Sequence, residues 1–521
     1  MWEAALGAVA LGDGADALLA APAPAPPLRA CPPPAFDPTY TARLPAYFAG
    51  AGQAHWLARQ GLAANASADD IALHIWRLSC FAPPTLDPAG WRTVLYTALY
   101  HAQCAPTTVS DADGTYIGLD GARARAPAAG LGVAFSDLSL WDIHRTQAPL
   151  LALLAPAAAA SLAASLLAMA RARGGRLPRW PFASVETGIM CGDHGIAVLA
   201  DAALKGVAPG GAAAAADAWA AANATLCARD AAAPTYEALG FVPIEAGQGW
   251  CKGATLTLEY AFDDAAAAVL ARAAGHAAAA DALAARARSY RNLWDPLTRA
   301  LCPRHANGTA ACASAPFPFE NAWTEADGAQ MAWFVPGDPA GLAALSGASY
   351  LPAWDALLAA TPAWPFGTFM PNAAMWLGNE PSLLIPWQAL WAPPLGAARA
   401  QRAVRDALAA NYNTRFDGVP GNDDYGTMAA WTVWALLGIY PIVGTEWYAL
   451  AAPTFANATA GGLRVLARNA SAGAPFVSAI LLNGARLGMP FARHAELLAP
   501  PAVLEFVMTD APVAWDYAPP V

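Results

Sequence analysis

The sequence predicts a mainly α protein, a toroid of helix pairs followed by a small β-structure. Two observations carry this. From Trp91 onward the chain is a series of apolar helical segments broken by loops that hold the Gly, Pro, Asp and Asn, the texture of paired helices around a central pocket. After about Pro441 it changes to short runs rich in Val, Leu and Ile, separated by turns such as Asn483-Gly484, the signature of strands. At 521 residues the chain has room for two or three domains.

Residues 1–90 read as a Pro/Ala-rich N-terminal segment with linker helices: Pro22 to Pro34 is an extended linker, and helical patterns run over Ala51–Gly61 and Asp69–Leu78. Residues 91–445 form the toroid. Helices are expected at Thr93–Gln103, Leu138–Leu153, Ala159–Ala172, Gly195–Lys205, Thr255–Gly275, Ala326–Phe334, Ser382–Leu390, Ala398–Asn411 and Thr427–Ile439. Alanine runs such as Gly211–Asp217 and Asp264–Ala282 favour helix by propensity alone. Residues 446–521 carry strands at Tyr448–Leu450, Leu463–Leu466, Val477–Leu482 and Val503–Met508.

Composition excludes several classes. With 57% hydrophobic and 13% charged residues, large-scale disorder is ruled out. A net charge of −10 with no Lys/Arg block argues against nucleic acid and anionic membrane as partners. Ala148 to Ala170 is uncharged, but Pro149 and Pro156 interrupt it and Ser161 and Ser165 are polar, so it reads as a buried helix pair rather than a membrane span. The 20 Trp serve either a core or a sugar-binding cleft, and composition does not choose.

Eight cysteines without a C-x-x-C zinc spacing, together with sequons at Asn65, Asn223, Asn307, Asn457 and Asn469, suggest a glycoprotein of the secretory pathway or extracellular space. Cys302 and Cys312 flank a short polar loop and are placed to pair; buried free thiols are the other reading of the cysteines. Glu3, Asp13 and Asp16 break the first apolar run and no basic residue precedes it, so no signal peptide is expected and the N-terminus reads as incomplete.

Six loops carry acids: Ser110–Gly121, Trp141-Asp142, Gly192–Gly195, Thr324–Asp327, Gly378–Ser382 and Gly421–Gly426. Any one of them is explained by helix capping, where Asp, Asn and Ser accept backbone N–H bonds. Together, on one toroid, they are expected to converge on a pocket. Glycoside cleavage needs two carboxyl groups there, one to protonate the departing oxygen and one to activate water or attack the sugar. Asn379-Glu380, all oxygen donors with no soft ligand, suits Ca²⁺ rather than zinc.

At these loops the sequence resembles the family 92 glycoside hydrolases, calcium-dependent exo-acting α-mannosidases. The matching segments run in order from Leu95–His101 through Ser110–Tyr116, Phe135–Asp142, Gly192–His194, Ala200–Gly206, Leu258–Asp264, Asn292–Pro296, Trp333–Pro336 and Gly378–Ser382 to Gly421–Asp424. The resemblance implies an (α/α)6 toroid with a β-sandwich portion formed by the C-terminal strands and a reduced N-terminal region. It implies inverting, single-displacement hydrolysis of terminal α-linked mannose from N-glycans or mannans. Glu325 falls on the general acid and Asp424 on the general base; Asn379 and Glu380 fall on the Ca²⁺ site. Trp141, Asp142, Asn422 and Asp423 are implied as substrate-binding residues. The implied partner is a mannose-containing oligosaccharide or glycoprotein glycan.

There are departures from the family pattern. The acid motif reads Thr324-Glu-Ala-Asp-Gly-Ala-Gln330, with Asp327 and Ala329 where the family has Asn and Trp. Leu377 and Leu383-Leu384 stand where it has histidines. Two other readings follow: an inactive mannoside-binding relative or truncated product lacking the N-terminal sandwich, and a toroid glycosidase for another sugar such as an α-glucoside.

Overall fold

The protein is described by a computed structural model over residues 9–11, 86–208, 210–312, 322–361, 375–415, 418–471 and 473–520. The expected linker Pro22–Pro34, the helices at Ala51–Gly61 and Asp69–Leu78, and the Asn65 sequon lie outside these residues.

Two kinds of helix build the toroid. One kind is buried on every side. All eight residues of Gln147–Leu154 and all eleven of Thr427–Leu437 are buried, and Gly253–Ala273 is buried nearly throughout. Helices apolar all round belong at the centre of a fold. The other kind has one buried stripe. In Gly396–Asn411 the stripe is Ala397, Ala400, Val404 and Ala407, with Arg402 and Asp406 exposed and ion-paired at 2.9 Å; this is the outer layer. Gly253–Ala273 packs against Gly195–Leu204, Gly211–Leu226 and Ala277–Arg286. The toroid is thus the expected (α/α)6 arrangement.

Two expected helices are corrected. Over Ser382–Leu390 the chain makes 3₁₀ turns, Glu380–Ser382 and Ile385–Trp391. Pro381 and Pro386 lack the N–H that an α-helix needs there. Over Ala326–Phe334 only Gly328–Met331 is α-helical, started by Asp327 in a capping box with Gln330.

The C-terminal strands form two sheets. The larger has the order Val9–Leu11, Asn457–Ala460, Leu463–Arg468, Val503–Thr509, Phe476–Leu482, Ala485–Arg486. The pairing of Leu463–Arg468 with Val503–Thr509 is parallel and the others are antiparallel. Leu463, Val465 and Ala467 point inward while Arg464 and Arg468 point out, the period of two that a half-buried strand requires. Asn483-Gly484 closes a two-residue hairpin with both φ positive, 52° and 83°, as such a turn demands. The smaller sheet joins Ile439–Pro441, Trp447–Leu450 and Phe491–Arg493. Val9–Leu11, from the N-terminal segment, pairs along Asn457–Ala460 as an edge strand among the described residues.

Toroid and sheets share one hydrophobic core. The seam is tied by Val477 N–H donating to Gln401 Oε1 at 3.0 Å and Tyr517 donating to the Leu390 carbonyl at 2.6 Å. Cys302 pairs with Cys312 as the spacing suggested, and Cys191 pairs with Cys251, which the sequence did not indicate. Asn223, Asn307 and Asn469 are exposed. No helix among the described residues is long and apolar enough to cross a membrane.

Candidate active site

Four of the six acid-bearing loops meet. The meeting of two of them is a matter of glycine. Gly421, at φ 64°, lies so close to Gly378 that a Cβ on it would sit 1.9 Å from the Gly378 carbonyl oxygen. Only a residue without a side chain allows that approach. It presses the loop bearing Asn379-Glu380 against the loop bearing Asp423-Asp424.

Asp142, Glu380 and Asp424 offer carboxylate oxygens within 4.8 Å of one another. Asp142 sits on the single turn Leu140–Ile143 and Glu380 opens a 3₁₀ turn; they are 3% and 1% exposed. Both Glu380 oxygens and Asp142 Oδ2 are buried without a hydrogen-bond donor. Burial, then the charges of Asp142 and Asp424, push the Glu380 carboxyl well above its ordinary range. Burial, then Asp424, do the same to Asp142. Asp424 is raised to about 6 by burial and by the neighbouring Glu325 carboxylate.

Glu325 is gripped at both oxygens. The Trp250 indole N–H donates to Oε1 at 3.2 Å, and Asn379 Nδ2 donates to Oε2 at 3.1 Å and to the Glu325 carbonyl at 2.9 Å. Glu325 and Asp424 both hold positive φ, 52° and 44°. A left-handed conformation in a residue with a side chain costs about 1–3 kcal/mol and persists only where the surroundings impose it.

Trp141, beside Asp142 on the same helical turn, is buried. Its indole N–H donates to Glu259 Oε1 at 2.7 Å, and the Arg145 guanidinium lies between the Trp141 and Phe334 rings, 4.7 and 4.5 Å from their centroids. The Asp423 carboxylate accepts the N–H groups of Gly426 and Ala429, both at 3.0 Å, at the start of the Thr427–Leu437 helix. Asn422 is exposed on the same loop.

The other two acid loops go elsewhere. In Ser110–Gly121, Asp113 and Asp120 bond Thr115 and Ala122 of their own turns. Gly192–Gly195 feeds a network of paired charges behind Trp141. There His194 lies 2.9 Å from Asp263 and 3.1 Å from Glu259. Burial opposes its charge, but those two carboxylates outweigh it and raise its pKa to about 9. His144, stacked on it at 4.3 Å, is held well below the ordinary value by burial and by the charge on His194. Asp264 accepts from Arg229 at 3.0 Å, from Arg286 at 2.6 and 2.7 Å, and from Tyr236 at 3.0 Å.

Trp250 was missed by sequence reasoning. Its neighbour Cys251 was visible, but eight cysteines leave the pairing open. Only the fold shows that the Cys191–Cys251 bridge holds the Trp250 hairpin beside Glu325.

Residues 88–510 match the glycosyl hydrolase family 92 catalytic domain. The chain is similar to the family GH92 α-mannosidase BT3965 of Bacteroides thetaiotaomicron, which was solved alone and with mannoimidazole. The free enzyme aligns at 26% identity and TM-score 0.74 over 88% of this chain and 61% of that one; the complex aligns at 25% and 0.72 over 87% and 60%. The family GH92 inverting mannosidase BT2199 of the same bacterium shares the fold, with TM-score 0.67 and 23% identity over 89% and 66% of the two chains. An uncharacterized secreted glycosidase of Arthroderma benhamiae is 37% identical over 83 residues, 16% of this chain and 10% of that protein. The chain thus spans about three-fifths of the length of the BT3965 structures.

Proposed function

Because the chain belongs to glycosyl hydrolase family 92, we propose that it hydrolyses terminal α-linked mannose on glycans, with inversion at the anomeric carbon. The observation that carries this reading is the crowding of Asp142, Glu380 and Asp424, with both Glu380 oxygens and Asp142 Oδ2 lacking a donor, beside a separately held Glu325. Glu325 is the general acid. It gives its proton to the glycosidic oxygen as the C1–O bond breaks. Asp424, ionised above a pKa of about 6, takes a proton from the water that attacks C1 from the opposite face, which requires the two carboxyls to stand about 6.5–9.5 Å apart. Trp141 and Asp142 hold the sugar being cleaved, with Asn422 at the open edge.

The buried, donor-free oxygens of Glu380 and Asp142 fit a hard cation, and they are the chemistry expected of a Ca²⁺ site. Glu380, Asp142 and the amide oxygen of Asn379 would hold it. When bound, Ca²⁺ would offset the crowded charge and ligate sugar hydroxyls. Two disulfides support a secreted, oxidising location, in keeping with the secreted fungal relative.

The test separates acid from base. Glu325→Gln should lose about 10²–10⁴-fold in kcat on a mannoside with a poor leaving group, the usual range for a general acid, and far less on α-mannosyl fluoride. Asp424→Asn should impair both alike, and NMR of the wild-type reaction should show β-mannose first. With the Glu325 charge gone, the acid limb of the fluoride pH profile should move below about 6. Equal loss on both substrates in Glu325→Gln would make Glu325 a positioning residue. Binding of mannose without turnover by the wild type would establish the inactive-relative reading instead.

A further inference from the structure

Trp250 occupies the second of the two central positions of a tight hairpin. Gln248 and Cys251 exchange backbone bonds at 2.7 and 2.8 Å across Gly249-Trp250, and Gly249 supplies the positive φ, 54°, that such a turn needs at its first position. The hairpin is tied down on three sides. Cys251 is bonded to Cys191. Thr324, next to Glu325, donates to the Trp250 carbonyl at 3.1 Å and accepts from Lys252 N–H at 2.9 Å. Yet the Trp250 side chain, so firmly carried, is 57% exposed. A rigid indole left in water beside a charged pocket is a surface built to be covered.

Its position says by what. The indole reaches Glu325 Oε1, while Asn379, on the loop of buried Glu380, reaches Oε2. Glu325 therefore lies between the buried acids and Trp250, and Oε1 is its outer oxygen. A sugar whose C1 faces Asp424 has its leaving group on the outer side of Glu325, where the ring is. We propose that Trp250 is the specificity-determining residue for the leaving group: a second sugar ring stacks its apolar C–H face on the exposed indole, while the N–H orients the acid oxygen toward the bond being broken. This rests on Glu325 being the acid, and it makes an oligosaccharide, rather than a mannoside with a small leaving group, the preferred substrate.

Trp250→Ala and Trp250→Phe would be compared with wild type on an α-linked mannobiose and on α-mannosyl fluoride, and calorimetry would measure binding of mannobiose and mannose. Trp250→Ala should raise KM and Kd for mannobiose by roughly two- to tenfold, the scale of one aromatic contact, and should cost less in kcat/KM on the fluoride, whose leaving group offers no ring to stack and needs no proton. Trp250→Phe keeps a ring but no N–H, so it should restore KM while lowering kcat on mannobiose. Equal losses on both substrates, or an unchanged mannobiose KM and Kd in Trp250→Ala, would overturn the proposal. Turnover of the fluoride with no discrimination by Trp250→Ala would sink this inference and leave the hydrolase reading standing. Trp250-dependent binding of mannobiose with no turnover would do the reverse.

Discussion

Two neighbouring clusters of buried acids in this protein are built on opposite principles. Behind Trp141, each of Asp193, Glu259, Asp263 and Asp264 faces Arg229, Arg179, Arg286, Arg145 or His194 within 4 Å. In the pocket, Asp142, Glu380 and Asp424 face chiefly one another. Arg145 is the cation that offsets Asp142 and Glu380, yet its guanidinium is turned to Glu259 at 3.8 Å and to the Trp141 carbonyl at 2.9 Å. A buried carboxylate paired with cations is part of the framework; one left without them raises the energy of the empty pocket until a proton or a ligand arrives. The two clusters meet at Glu259, which accepts from Trp141, so the paired cluster holds steady the residue next to Asp142.

The contrast predicts mutational effects of opposite sign. Asp264→Asn removes the buried charge that Arg229 and Arg286 share, leaving Arg229 to Asp193 and Asp263 and Arg286 to Glu237, so unfolding free energy by denaturant titration should fall by about 3 kcal/mol, the low end of the scale for breaking a buried pair. A loss under 1 kcal/mol would show that the network is not what stabilises this part of the toroid.

Ca²⁺ should stabilise the folded chain by about 2.7 kcal/mol at a hundred times its dissociation constant. The sign of its pH dependence follows from the raised acids. Without the ion the folded pocket retains protons that the unfolded chain has released, so the stability they contribute is lost as pH rises, for Asp424 between 3.8 and about 6. The ion takes the place of those protons, and the Tm gain on adding Ca²⁺ should be larger at pH 8 than at pH 5. A gain that is the same at both pH values, or absent, would remove the cation from the pocket.

The smallest effect sharpens the comparison most. Glu380→Gln should abolish the Ca²⁺ response but make the chelator-treated protein more stable, by about 1 kcal/mol, since a neutral amide can donate to Asp142 and Asp424 where a carboxylate repels them. Destabilisation of the same size as in Asp264→Asn would mean that the two clusters are alike.

Much of this was legible in the sequence. Helical segments such as Gly396–Asn411 and strands such as Leu463–Arg468 announce themselves because their apolar residues recur at the period of the element that buries them, whereas Gly253–Ala273 and Thr427–Leu437 were legible as long apolar runs between polar loops. The acids Glu325, Glu380 and Asp424 were visible as loop acids in ordered motifs. The sequence could not sort them by environment. Asp423 and Asp424 are adjacent and identical in type, yet one caps a helix and the other faces Glu380. Asp193 and Asp142 each lie just before or within a helical turn, yet one is paired with arginines and the other is not. Local pattern therefore determined most of the helices and strands, though not the 3₁₀ turns over Ser382–Leu390, and which loops carry acids. Tertiary structure decided which carboxylates have partners, that Trp250 stands over Glu325, and that Cys191 reaches Cys251 across 60 residues. The reason is physical: an element forms from neighbours a few residues apart, whereas burial and charge pairing depend on groups that only the finished fold brings within 4 Å.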